Sequence, residues 1–220
     1  MRWEEERFQK WEKKWLDSIA ADISLLHTHR TIFHEVQTLL THHPTGETRR
    51  SEFREFLHDA YVALIVSSVR KQGKSDPEHL SLARLLEEIG SAPTVLSRAR
   101  FVALYADTAI GGAEWKAMIT ATFAGRGQEH VDPYLVKHDL EALKDEVRTA
   151  EAYVDHYFAQ RDQRGLRARE IPIHKELDES VEFLFALMKK YYFLFRATAL
   201  TPSLIAPSWK DIFRSSERIA

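Results

Sequence analysis

Residues 132–162 read DPYLVKHDLEALKDEVRTAEAYVDHYFAQRD. Val136, Leu140, Leu143, Val147, Ala150, Val154 and Tyr157 recur at alternating steps of four and three, which places them on one stripe of a helix. Asp132 is a good N-cap and Pro133 a good first helical residue. The spacing therefore predicts one long helix from Asp132 to Asp162. A second stripe, Leu177, Val181, Leu184, Met188, Tyr191 and Phe195, predicts another from about His174 to Leu200, stopped by Pro202. Two long helices with matching stripes and a link of roughly ten residues pack antiparallel, as in a bundle.

Working outward from this pair, the rest of the chain also reads as helix. Phe8, Trp11, Trp15, Ile19, Ile23, Leu26, Phe33, Val36 and Leu40 follow a helical period, either as one helix from Trp3 to about Leu40 or as two with a break near His27-Thr28-His29. Ser51 is read as the cap of the next helix, which runs to about Gln72. Its apolar residues cover more than one face, which predicts a central position. Gly73 to Pro77 stops it. Ser75 or Asp76 then caps a short helix ended by Gly90, and Ser97 starts another. Residues 106–131 are the least regular part, and the tail 201–220 carries Trp209, Ile212 and Phe213, apolar enough to dock on the bundle. The expected fold class is all-α: an antiparallel up-and-down helical bundle in one domain over residues 1–220, with two long C-terminal helices and short extra ones.

Composition narrows the function classes. The chain has 220 residues, a net charge of −2, 44% apolar and 29% charged residues. That supports one large helical domain and gives no global electrostatic pull toward nucleic acid or membrane, so any such binding rests on local patches. The absence of cysteine removes disulfides, thiol catalysis and thiolate metal sites. The charged N-terminus is no signal peptide, and no apolar run reaches the roughly 20 residues of a membrane span, so a cytoplasmic protein without membrane contact is expected. Neither Ile110-Gly111-Gly112 nor Gly125-Arg126-Gly127 makes a phosphate loop.

Several segments together resemble the HEPN superfamily, in particular a bacterial branch associated with abortive infection. They are His27-Thr-His-Arg30 with Phe33 and Val36; Val69-Arg70-Lys71-Gln72; Ser81 to Ile89; Glu129-His130-Val131-Asp132-Pro133; and Tyr153-Val154 leading to Ala159 and Arg161-Asp162. The similarity covers most of the chain. It implies a helical bundle, often dimeric, whose members cleave RNA without metal or act beside toxins, antitoxins and nucleotidyltransferases.

The family's ribonuclease motif is an arginine, four to six residues, then a histidine. Histidine near neutral pKa moves the 2′-hydroxyl proton, and the guanidinium stabilises the charged phosphorane. In this chain Gln160 stands at the histidine position and Tyr153 to Asp155 at the arginine position. Glutamine binds phosphate but is no base at neutral pH. The resemblance thus implies a domain with impaired catalysis that binds RNA or a protein partner. The RNA-binding candidates are Gln160, Arg161, Arg164, Arg167 and Arg169, together with Arg49, Arg50 and Arg54 or Arg70 and Lys71. Two alternatives stand beside it. One is an active metal-independent endoribonuclease using His156 or His174 with nearby arginines; the other is a non-catalytic structural homodimer. His27 and His34 share a helix face, but Arg30 between them argues against a cation, and no metal or other cofactor is expected.

Overall fold

The computed structural model describes residues 2–42, 47–106, 129–164 and 175–201, with the backbone alone at 42, 47–51, 105, 106, 154 and 156–164. Seven α-helices are described: α1 (Arg2–Lys10), α2 (Asp17–His42), α3 (Glu47–Gln72), α4 (Leu82–Ser91), α5 (Arg98–Ala106), α6 (Pro133–Arg164) and α7 (Lys175–Arg196). A π-helical turn, Trp11–Leu16, joins α1 to α2, and a 3-10 turn, Pro93–Val95, precedes α5. No β-strand occurs among the described residues; Ser97 and His130 make one isolated bridge. The all-α bundle expected from the two stripes is what the chain forms.

Specific side-chain pairs fix the direction of each helix. Phe33 stacks on Tyr61 and Lys71 reaches Asp22, so α2 and α3 run antiparallel. Arg70 reaches Glu151 while Gly73 lies against Val147, so α3 and α6 do too. Tyr191 meets Asp139 and Ser180 meets Glu146, which sets α6 antiparallel to α7. Arg30 meets Glu182 and Arg196 meets Asp17, which does the same for α2 and α7. Helix α7 is the common neighbour, touching α2, α3, α5 and α6, and every residue of its predicted stripe is buried.

The ends of the helices differ from expectation in instructive ways. The N-terminal helix does not break at His27–His29. The Thr28 and Thr31 hydroxyls donate to the carbonyls of Ser24 and His27, one turn back, so neither hydroxyl competes with the helix. The irregularity is instead the π turn at Trp11–Leu16, which places Trp11, Trp15 and Leu16 all in the core. Helix α3 begins at Glu47, so Ser51 is not its cap. The cap of α4 is Ser81, whose Oγ accepts from the Arg84 N–H, rather than Ser75 or Asp76. Gly90 lies inside α4, which ends one residue later. Ser97 does cap α5, accepting from the Arg100 N–H. Asp132 caps α6 through the Tyr134 N–H, and Pro133 is its first residue. Helix α7 stops at Arg196, before Pro202, because Ala197 adopts a left-handed conformation (φ 50°) and its N–H bonds back to the Phe193 carbonyl.

Helix α3 is not central. Tyr61, Val62, Ile65, Val66 and Val69 are buried, but Phe53, Phe56 and Leu64 on its other side are exposed. The irregular segment expected at 106–131 lies outside the described residues except at its edges, as does nearly all of the tail 201–220.

The close approach of α3 to α6 depends on Gly73. A Cβ there would overlap the Cγ2 of Val147, a branched side chain with little rotamer freedom. Gly73→Ala is expected to destabilise the fold by about 1–3 kcal/mol in urea titration, and Gly73→Ala with Val147→Ala to lose less than the two single changes added together.

Candidate functional site

Three helices meet at Asp178, in the first turn of α7. Its Oδ1 accepts the Tyr61 hydroxyl at 2.5 Å and lies 3.3 Å from the Arg30 Nε; its Oδ2 is 2.8 Å from the His34 Nε2. One turn on, Glu182 pairs with the Arg30 guanidinium and with the His27 Nε2, the latter at 3.4 Å. The pattern follows from two local spacings. His27, Arg30 and His34 share one face of α2, and Asp178 and Glu182 share one face of α7. Antiparallel packing sets the two faces against each other, so the basic face of one helix meets the acidic face of the other.

Asp178 is largely buried (17% exposed), whereas His34 is half in solvent (47%). The carboxylate is compensated by one guanidinium and two further hydrogen-bonding groups, which is what a desolvated charge requires. Tyr61 stacks on Phe33 with centroids 3.9 Å apart. Burial pushes the Tyr61 hydroxyl far above the usual tyrosine range, and the bond to Asp178 adds to this. Tyr153 of α6 completes the surroundings: burial, then the negative charges of Glu176 and Asp178, push it up to about 12.

A related arrangement recurs at the opposite end of the bundle. There Asp139 accepts the Tyr191 hydroxyl at 2.7 Å and the Lys190 ammonium at 2.6 Å. Burial holds Tyr191 well above its ordinary pKa. A carboxylate shared between tyrosine and a cation is thus used twice to set the register of α7. Asp178 differs in also holding a histidine that faces solvent. A carboxylate bound to one imidazole nitrogen fixes the ring's orientation, and a guanidinium beside it is suited to a phosphate oxygen. Among the described residues no group of three or more His, Asp or Glu is arranged to hold a metal ion.

Of the residues singled out in the sequence, one stretch of α6 starts at this end of the bundle. Tyr153 is the neighbour of Asp178, and α6 runs on from it without a break through His156, Gln160 and Arg161 to Arg164. The side chains of those four residues lie outside the described residues. So do Arg167, Arg169 and His174 entirely. Arg70 and Lys71 are tied to different helices, Arg70 to Glu151 and Lys71 to Asp22, each at 2.6 Å, and Arg54 donates to Thr41. Asp178 and Tyr61 were not singled out in the sequence. The only trace of them in the sequence is a pair of i, i+4 spacings of opposite charge, Arg30 with His34 and Asp178 with Glu182, and these do not say that the two helices meet. No family model, curated protein or solved structure compared with the chain matches it.

Two outcomes follow from the cluster. Asp178→Ala is expected to cost about 2–3 kcal/mol and Tyr61→Phe about 1 kcal/mol in urea titration, with the double change costing less than the sum because both remove one bond. Unfolded tyrosine ionises near pH 10 whereas folded Tyr153 resists ionisation until about 12. Raising the pH through that window therefore favours the unfolded chain, and Tyr153→Phe should lessen the loss, as read by circular dichroism beside tyrosinate absorbance.

Proposed function

We propose that the chain is a HEPN-like helical protein of a prokaryotic defence or toxin–antitoxin type system, binding RNA at the end of the bundle that carries Asp178. The observation that carries this reading is the continuity of α6. The helix extends from Tyr153, beside the cluster, through Gln160 to Arg161 and Arg164. At 1.5 Å per residue, Gln160 stands about 10 Å beyond Tyr153 on the same helix. The glutamine in the family's histidine position is thus next to two arginines at a helix C-terminus, and it binds phosphate without serving as a base. A protein partner that competes for this end is the companion possibility within the same reading.

A second reading is favoured by one observation, the His34–Asp178 pair with Arg30. Arg30 and His34 are one turn apart, a residue short of the family's spacing, and a third helix supplies the tyrosine. In that reading His34 takes the proton of an RNA 2′-hydroxyl. The 2′-oxygen bonds to phosphorus, the bond from phosphorus to the 5′-oxygen breaks, and the imidazolium returns its proton to the leaving oxygen. Arg30 stabilises the charge on the phosphorane.

Labelled single-stranded RNA incubated in chelator separates these readings. The RNA-binding reading expects micromolar affinity that falls with salt and no cleavage. Arg161→Ala with Arg164→Ala should lower the salt slope by roughly 1.4, two phosphate contacts at about 0.7 each. Metal-free cleavage abolished by His34→Ala would select the second reading. No affinity at low salt would contradict both.

A further inference from the structure

His34 is one of two imidazoles on the α2–α7 interface that are held in the same way. Its Nε2 lies 2.8 Å from the Asp178 carboxylate, and its ring meets the Phe33 ring edge-on with centroids 5.4 Å apart. His27 is two turns earlier on the same face of α2. Its Nε2 lies 3.4 Å from the Glu182 carboxylate, and its ring is tilted against Phe185 with centroids 4.6 Å apart. A carboxylate and an aromatic ring thus orient each imidazole. Arg30 stands between them and pairs with both carboxylates, so it ties α2 to α7 without either histidine. All three side chains reach solvent, His27 at 20%, Arg30 at 25% and His34 at 47%.

In a displacement at phosphorus the attacking and leaving oxygens lie roughly in line, on opposite sides of the centre. An imidazole beside the attacking oxygen is therefore badly placed to serve the leaving one. Within the cleavage reading given above, on which this rests, we propose that His27 is the general acid that protonates the leaving 5′-oxygen, with His34 kept as the base. The span fits. Seven residues of α2 rise about 10 Å, of which two hydrogen bonds of about 3 Å take the greater part and the phosphate the rest. The charges fit as well. Asp178 and Glu182 carry two negative charges and Arg30 one positive, so one protonated imidazole brings the cluster to neutrality. His34 starts neutral and His27 protonated. The 2′-hydroxyl proton passes to His34 as the 2′-oxygen bonds to phosphorus. The bond from phosphorus to the 5′-oxygen breaks with its electron pair on that oxygen, which takes the His27 proton, while Arg30 stabilises the charged phosphorane. A cyclic phosphate and a free 5′-hydroxyl leave. His34 then gives a proton to water and His27 takes one back.

Leaving-group chemistry separates an acid from a base. The full chain is assayed in chelator on uridylyl-adenosine, whose 5′-alkoxide needs a proton to leave, and on uridine 3′-nitrophenyl phosphate, whose phenolate leaves without one. His27→Gln is expected to lower kcat/KM roughly a hundredfold on the dinucleotide and less than about threefold on the nitrophenyl ester. His34→Gln is expected to lower it roughly a hundredfold on both. Turnover of the nitrophenyl ester also reports that the His27→Gln chain is folded. A His27→Gln chain as fast as wild type on the dinucleotide, or slowed equally on both substrates, overturns the assignment of His27 and leaves the cleavage reading in place. A wild-type chain inert toward both substrates overturns the cleavage reading and this assignment with it.

Discussion

The burial of one face of α7 is the constraint on which the rest depends. Leu177, Val181, Leu184, Met188, Tyr191 and Phe195 are all removed from water. Together they represent on the order of 10 kcal/mol of apolar burial, at about 1.5–3 kcal/mol for each large side chain. Among the described residues α7 packs against α2, α3, α5 and α6. Because apolar contact is non-directional, it holds helices together without choosing their register. The register comes from the polar groups at the two ends of α7, Asp178 with Tyr61 and Arg30, and Asp139 with Tyr191 and Lys190. Sliding α7 by one turn would leave each of those carboxylates buried without its partners.

The two ends then differ in what else they carry. Asp139 is enclosed by a tyrosine and a lysine, and its role is complete within the packing. Asp178 also holds the half-exposed His34, and it stands beside Tyr153, from which α6 extends toward Gln160 and its arginines. The same geometry that sets the register therefore leaves an oriented imidazole and a guanidinium at the surface. Any function of this end inherits a rigid base, since three helices fix the positions of the groups involved.

Much of the fold was legible because it follows local periodicity. The stripe on α7 is buried throughout, Val136, Leu143 and Ala150 of the α6 stripe are buried with Leu140 and Val147 packed against them, and Asp132 with Pro133 starts α6. Caps were read less well. Ser75, Asp76 and Ser81 are all chemically suitable, and it is Ser81, extended at φ −145° and ψ 160°, whose hydroxyl accepts the Arg84 N–H. The π turn at Trp11–Leu16 leaves no mark in the spacing, because it shifts the helix by less than the width of its apolar stripe. The placement of α3 was misread because an all-round apolar pattern does not say what covers each side. The cluster at Asp178 was not legible as a site. His34 and Asp178 are 144 positions apart, and their meeting depends on the relative register of two helices, which no local pattern encodes.

The central functional claim is that the Asp178 end of the bundle, and not the Asp139 end, meets RNA. Amide and histidine-ring chemical shifts recorded during titration with a short single-stranded RNA, in chelator and at low salt, test it most directly. The account predicts shifts concentrated at Arg30, His34, Tyr61, Tyr153 and the last two turns of α6, with Asp139, Lys190 and Tyr191 unmoved. Shifts centred on the Asp139 end, or none anywhere at concentrations well above micromolar, would contradict it.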